Sequence, residues 1–170
     1  MTNLATTDHL FFERAGMDRD RITRIVDDTL DGADDGELFI EYRQSESLSF
    51  DDGRLKNAAF DTTQGFGLRA IAGEASGYSH ASELSEAAIK RAAETVRAVR
   101  KGYDGVAAVA PQGTNQSLYS DDNPLGEVSF EDKVKLLAEI DSYARGLDTR
   151  VQQVSASISG EWQAVQILRR

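Results

Sequence analysis

The sequence has 170 residues, of which 40% are hydrophobic and 28% are charged, a balance typical of a folded globular chain and not of a disordered one. Its 19 basic and 29 acidic residues give a net charge of −10, which opposes direct binding to the phosphate backbone of nucleic acid. It has no cysteine, which excludes disulfides and thiolate metal sites, and no stretch approaches the roughly 18 apolar residues of a membrane span, so we expect a cytoplasmic protein.

The first predicted element is a helix that Asp18 caps and that Gly32 ends. The polar residues 1–7 before it are expected to be disordered. Apolar residues at helical spacing define the buried face of this helix, namely Ile22, Ile25, Val26 and Leu30.

Four strands are predicted to follow as an antiparallel meander, because every link between them is too short for a crossover helix. Turn residues mark the links at Asp51-Asp52-Gly53, Thr62-Thr63-Gln64 and Gly73-Glu74. The strands are predicted over residues 38–50, 54–61, 66–72 and 75–79.

In the second half of the chain, Ser82 is predicted to cap a helix that ends at Gly102, and Ser129 one that ends near Gly146. Residues 106–124 lack a sustained period and are expected to form a long surface connection. The helix capped by Ser82 is expected to bury an apolar face of Leu84, Ala88, Ala92, Val96 and Val99. The helix capped by Ser129 is expected to bury Phe130, Val134, Leu137 and Ile140. The last two strands are predicted over residues 151–159 and 162–168, with a turn at Gly160.

These elements predict one domain over residues 1–170 with an α+β fold. About six strands form an antiparallel meander sheet that about three helices cover, in the order α-β-β-β-β-α-α-β-β.

The candidates for chemistry are few. His9 and His80 are the two histidines, and neither belongs to a His-Glu-x-x-His spacing, so we predict no catalytic, cofactor-binding or metal-ligating residue in this sequence. Ser79 and His80 resemble a nucleophile and its base, but adjacent residues of a strand point to opposite faces. We therefore interpret His80 as structural or as a hydrogen-bond partner at the entry to the next helix.

The glycines of the run from Gly65 to Ser82 lack the lysine and hydroxyl residue of a phosphate-binding loop. They indicate sheet curvature, with close approach of another backbone as the alternative. Arg69, on the face opposite Leu68, is interpreted as an exposed arginine in a surface ion pair, with the binding of a ligand carboxylate as the alternative.

The same run carries a family resemblance. Gly65-Phe66-Gly67-Leu68-Arg69-Ala70-Ile71-Ala72-Gly73-Glu74, followed by Gly77-Tyr78-Ser79-His80-Ala81, resembles the TldD proteins of the TldD/PmbA family. The likeness extends over essentially the whole chain, since further segments occur in the family's order: Leu38-Phe39-Ile40-Glu41, Ser117-Leu118-Tyr119, Asp122-Asn123-Pro124-Leu125 and residues 150–160.

The resemblance implies a subunit of a zinc-dependent peptidase that is longer than this chain. The family's metal motif, His-Glu-x-x-x-His with a later cysteine, lies in a C-terminal domain and is not found here. The chain is therefore implied to be the non-catalytic N-terminal domain, inactive alone, which helps to enclose a chamber for extended peptides. It is implied to pair with a PmbA-type subunit or a second copy. Family members are also described as modulators of DNA gyrase, and the charge of −10 favours an indirect route to gyrase.

The alternative is a standalone module that captures extended peptides or proteins at an exposed sheet edge, since main-chain pairing needs no special side chains. A hydrolase that uses Ser79 and His80 is disfavoured, because general-base catalysis requires the two side chains to converge.

Overall fold

A computed structural model of the chain describes residues 3–98 and 122–170, and the expected α+β class is confirmed. One antiparallel sheet has the strand order β3-β2-β1-β4. The helices are α1 (Asn3–Asp8), α2 (Arg19–Leu30), α3 (Glu86–Arg97) and α4 (Phe130–Leu147), and the strands are β1 (Asp35–Asp51), β2 (Arg54–Ala72), β3 (Ala75–Ala81) and β4 (Ser155–Leu168). None of the helices in the described ranges is long and apolar enough to cross a bilayer.

The described residues fall into two compact units, whose boundaries cut β1, β2 and β4. The first comprises the described residues of Met1–Tyr42, Thr63–Ser120 and Ala164–Arg170, and the second those of Arg43–Thr62 and Asp121–Gln163. In the first unit α3 packs against α2 and β3. The fully buried residues of this unit include Phe11, Ile22, Val26, Leu38, Ile40, Leu68, Ile89 and Val96.

The core of the second unit forms where α4 meets the sheet. Leu48 and Phe50 of β1 pack with Leu137 of α4. The partly buried hydrophobic residues around them are Val134, Ala138, Ala156 and Ile158. Burial of these side chains stabilises the unit by roughly 1.5–3 kcal/mol for each large residue that is fully removed from water.

Two of the predicted helices begin at the expected caps. The Asp18 side chain accepts a hydrogen bond from the Arg21 backbone N–H at 2.9 Å, and the Ser129 hydroxyl accepts one from the Asp132 N–H at 3.1 Å. Each satisfies a backbone donor that the first helical turn leaves without a partner. The predicted end of α4 near Gly146 is also confirmed.

The predicted cap of α3 is wrong by one turn. Ser85, and not Ser82, accepts the hydrogen bond from the Ala88 N–H, at 3.1 Å. With Ser85 as the cap, Leu84 and Ile89 occupy the positions of a hydrophobic staple, and both are buried. The predicted end at Gly102 and the predicted face residue Val99 lie outside the described residues.

The described residues contain four strands, and the expected six are wrong because two predicted turns lie inside strands. β2 continues through Thr62-Thr63-Gln64, where its residues are solvent-exposed, so polar β-branched side chains fit the strand. β4 continues through Gly160, where a Cβ would lie 2.7 Å from the Leu125 Cδ2, so this glycine permits a close side-chain approach and not a turn. β4 also begins later than predicted, at Ser155.

The N-terminal stretch is more ordered than expected. Residues Asn3–Asp8 form α1, which continues as a π-helical turn over His9–Glu13, so the described residues contain four α-helices and the expected three are wrong. Phe11 and Phe12 are buried and anchor this segment. The polar composition of residues 1–7 alone does not indicate this order, because the anchoring side chains follow those residues. The predicted connection over residues 106–124 lies almost wholly outside the described residues.

The inner side of α4 is more polar than predicted. Leu137 is buried as expected, but Phe130 and Ile140 are exposed, and Lys133 and Asp141 are buried in their place. The Lys133 ammonium lies 2.6 Å from the Glu46 carboxylate and donates to the Leu125 carbonyl at 2.9 Å. Ion pairing and hydrogen bonding thus compensate the desolvation of this buried cation.

β2 and β3 form an antiparallel hairpin whose register pairs Phe66 with Ala81 and Gly67 with His80. Gly65 lies where this pairing begins, and a Cβ there would be 2.7 Å from the Ala81 carbonyl oxygen. At Gly65 another backbone therefore approaches closely, which is the alternative interpretation of these glycines.

We predict that Gly65→Ala lowers the free energy of unfolding by about 1–3 kcal/mol, because the new methyl group must displace backbone and not a flexible side chain. Urea denaturation measures the change. Gly146→Ala in α4 is the matched control, because a Cβ there meets nothing within 4 Å. The control should leave stability unchanged or raise it by up to about 1 kcal/mol. Equal effects of the two substitutions would contradict the close approach at Gly65.

We predict that Lys133→Met lowers the free energy of unfolding by about 3 kcal/mol, because it leaves the Glu46 carboxylate without its buried partner. Lys135→Met is the control, since Lys135 is exposed and its nearest oxygen of Glu139 is 3.9 Å away. The control should change stability by less than about 0.5 kcal/mol. A small effect of both substitutions in urea denaturation would show that the buried pair is dispensable.

Candidate binding cleft

A cleft of about 310 Å³ opens on one face of the sheet, within the first unit. Its lining includes Phe39 and Glu41 of β1, Gln64 and Gly67 of β2, and Tyr78 and His80 of β3. Three neighbouring strands of the sheet therefore supply its walls.

The alternation of β1 explains why Phe39 and Glu41 reach this face. Leu38, Ile40 and Tyr42 are buried, so the residues between them point to the opposite side of the sheet. The pattern that makes β1 half-buried thus also places one aromatic ring and one carboxylate in the cleft.

Tyr78 and His80 form an aromatic pair in the cleft. They are two residues apart on β3 and share a face, and their rings are stacked with centroids 5.5 Å apart and an interplanar angle of 24°. The Tyr78 ring lies against Gly67, where a Cβ would be 2.8 Å from the Tyr78 Oη. Tyr78 is nevertheless 61% exposed, so one side of the ring rests on the sheet while much of its surface faces solvent.

The structure separates the two residues that resembled a nucleophile and its base. Ser79 pairs with Leu68, which is buried, whereas His80 pairs with Gly67 on the cleft side. Since paired residues of a sheet share a face, the two side chains point away from each other. The stacking of His80 on Tyr78 agrees with a structural role for this histidine.

Arg69 lies in an ion-pair network, as predicted. Its guanidinium is 3.2 Å from one oxygen of Glu37 and 3.8 Å from Asp35, and Arg169 binds the other oxygen of Glu37 at 2.6 Å. Both cations and Asp35 are at least 41% exposed, whereas Glu37 is 20% exposed, so this largely solvated network contributes little to stability.

The chain passes from the cleft into α3 through Ser82 and Glu83. A hydrogen bond from the Ser85 hydroxyl, and after it the charge and hydrogen bond of Arg91, lower the pKa of Glu83, although partial desolvation opposes the shift. Because the pKa falls on folding, the contact favours the folded state at neutral pH and is lost as the pH falls through the folded pKa.

Phe39, Glu41, Gln64 and Tyr78 were not identified from the sequence as candidate site residues. The signal that was available is the pair Tyr78 and His80, two aromatic rings at strand spacing beside glycines. That signal identifies a cleft only once the strand register is known, because the register sets His80 opposite Gly67.

Two sequence models of one protein family match the chain in order. Residues 36–101 match PmbA/TldA metallopeptidase domain 1, and residues 123–169 match the PmbA/TldA metallopeptidase central domain. Together the matches cover about two thirds of the 170 residues.

Curated relatives carry the same family name. The chain is 32% identical over 139 residues to the metalloprotease TldD homolog of Haemophilus influenzae, which covers 79% of the chain and 29% of the relative. It is 29% identical over 136 residues to the metalloprotease TldD homolog of Buchnera aphidicola from Schizaphis graminum, with 79% and 28% covered. The chain thus spans less than a third of the length of these relatives.

Solved structures share the fold at low sequence identity. A modulator of DNA gyrase from Bacteroides thetaiotaomicron superposes with a TM-score of 0.69 at 14% identity, over 89% of the chain and 36% of that structure. TldE from Thermococcus kodakarensis does so with a TM-score of 0.64 at 16% identity, over 86% and 34%. These likenesses support the fold, and the sequence matches carry the assignment: the chain belongs to the PmbA/TldD metallopeptidase family and corresponds to its N-terminal region.

Proposed function

We propose that the chain is the non-catalytic N-terminal domain of a TldD-like zinc metallopeptidase subunit, where it helps to enclose the chamber that processes peptides and to pair subunits. The observation that carries the proposal is the ordered match to domain 1 and the central domain of the family in a chain that spans less than a third of its curated relatives. Zinc and the catalytic residues would then belong to a C-terminal domain outside this sequence.

The described residues of the chain do not fit a zinc site. His9 hydrogen-bonds Glu13 at 2.7 Å, and His80 stacks on Tyr78. Over residues 3–98 and 122–170, no three His, Cys, Asp or Glu residues are grouped as metal ligands. We therefore assign no catalytic step to this chain, and its proposed role is to shape and assemble the enzyme.

An apolar stripe on α4, defined as Leu136, Ile140, Tyr143 and Leu147, supports a role in pairing. These residues recur at helical spacing, so they lie along one side of the helix, away from Leu137 in the core. They are between 41% and 71% exposed. An exposed apolar surface of this kind marks an interaction site, and we propose that a second subunit of the same family covers it.

We predict that the purified chain binds no stoichiometric zinc and hydrolyses no unfolded peptide. The longer protein that contains the C-terminal domain is the matched comparison, and it should hold zinc and cleave such peptides. Metal analysis and fluorogenic peptide assays measure both properties. Robust hydrolysis by the chain alone, or a longer protein without zinc and without activity, would contradict the proposed function.

We predict that the double substitution Leu136→Glu and Ile140→Glu in the longer protein weakens subunit pairing at least about tenfold, because it places two charges in an apolar interface. Sedimentation measures the pairing, and thermal unfolding checks that the fold persists. Leu55→Glu is the control, since Leu55 is also an exposed leucine of the second unit but lies on β2. Unchanged pairing of the double variant would exclude the stripe from the interface.

A further inference from the structure

We infer that Phe39 of β1 and Val165 and Ile167 of β4, which together we call the sheet patch, form the surface on which the C-terminal domain of the same polypeptide packs. The choice of this occupant rests on the proposed function, in which such a domain follows this sequence. The position and the exposure of the sheet patch do not depend on it. Because Phe39 also lines the cleft, a domain packed here would add a further wall to the cleft.

β4 directs two apolar side chains away from the helices of the first unit. Ala164 and Gln166 are buried, and the Gln166 side-chain amide donates to the Asp8 carboxylate of α1 at 2.8 Å. The buried side of β4 therefore faces α1. Since successive side chains of a strand alternate, Val165 and Ile167 point to the opposite face of the sheet.

This exposed side of β4 continues onto β1. Arg169, two residues after Ile167, lies 2.6 Å from the Glu37 carboxylate. Because β1 and β4 are antiparallel neighbours, two residues back along β4 and two residues forward along β1 bring Ile167 beside Phe39 on one face. Glu37 also binds Arg69 at 3.2 Å, so ion pairs border the sheet patch, as polar groups border the apolar centre of an interface.

Within the described residues the sheet patch is open to solvent. Val165 is 37% exposed and Ile167 is 47% exposed, while Phe39 is partly buried. This part of β4 thus carries apolar side chains on both faces, a pattern typical of strands that are covered on both sides. β4 is also an edge strand of the four-stranded sheet, and an apolar edge strand without cover promotes association with other chains.

The domain organisation of the family points to the covering partner. Residues 123–169 match the central domain, and the match to the Haemophilus influenzae relative covers 29% of that relative. In the proposed function a further domain follows the central domain, so it is joined to the chain close to Ile167. Such a short connection gives a high effective concentration at the sheet patch, so a small apolar contact is enough to hold the domain.

Cysteine labelling tests the inference, since the chain contains no cysteine. Ile167→Cys is made in this chain and in the longer protein that contains the C-terminal domain, and peptide mass spectrometry follows its reaction with a maleimide. If the sheet patch is covered about 90% of the time, the cysteine should react about tenfold more slowly in the longer protein. Val128→Cys is the matched control, because Val128 is 49% exposed and belongs to the second unit. Its rates in the two proteins should agree within about twofold.

Two further measurements identify what covers the patch. Dilution of the longer protein until sedimentation shows single subunits should leave the slow labelling unchanged, because a domain of the same polypeptide is not lost on dilution. Adding Val165→Glu should speed the labelling of Ile167→Cys at least about fivefold, because a charge in an apolar contact opens it. Val128→Glu should leave that rate unchanged, and thermal unfolding verifies that each variant is folded.

Three results would overturn the inference: equal labelling at position 167 in the two proteins, slow labelling that disappears on dilution, or unchanged slow labelling in the folded Val165→Glu variant. The second of these would assign the sheet patch to another subunit. Failure of the proposed function gives a different result. In that case position 167 would still be protected in the longer protein, which would hold no zinc and hydrolyse no peptide.

Discussion

The rest of the structure depends on the register of the sheet. Side chains alternate between the two faces of a strand, and the pairing of Gly67 with His80 fixes which residues of β2 and β3 share a face. With this register Phe66 and Leu68 enter the core, while Tyr78 and His80 line the cleft. A slip by one residue would exchange the faces, exposing the buried residues and closing the cleft with core side chains. One constraint therefore sets both stability and the candidate binding surface.

The second unit buries one apolar side of α4 and leaves another exposed. α4 carries apolar residues on two sides, and Leu48, Phe50 and Leu137 account for one of them. The buried pair of Lys133 and Glu46 lies in the same unit, and well-packed hydrophobic residues of similar volume are often as stabilising as such a pair. The other side, the apolar stripe, is exposed among the described residues, and we propose that a second subunit covers it.

The features that sequence predicts well are local. The caps at Asp18 and Ser129 follow from residue type and spacing over a single turn, and the alternation of β1 is visible in its own residues. The polar character of Thr62-Thr63-Gln64 predicts a turn. These residues instead lie within β2, where they are exposed to solvent, so their polar side chains are compatible with a strand. The position of Gly160 inside a strand could not be predicted, because the side chain that approaches it belongs to Leu125, which is distant in sequence. The cleft was missed for the same reason, since Phe39, Gln64 and Tyr78 come together only through strand pairing.

The central claim is our proposal that this region of the family presents the apolar stripe of α4 to a second subunit. Photo-crosslinking from a benzoylphenylalanine placed at Tyr143 in the assembled longer protein tests it, with Tyr78 in the first unit as the comparison position. We predict that position 143 crosslinks to the other subunit and that position 78 does not. Crosslinks to the other subunit from position 78 together with none from position 143 would contradict it.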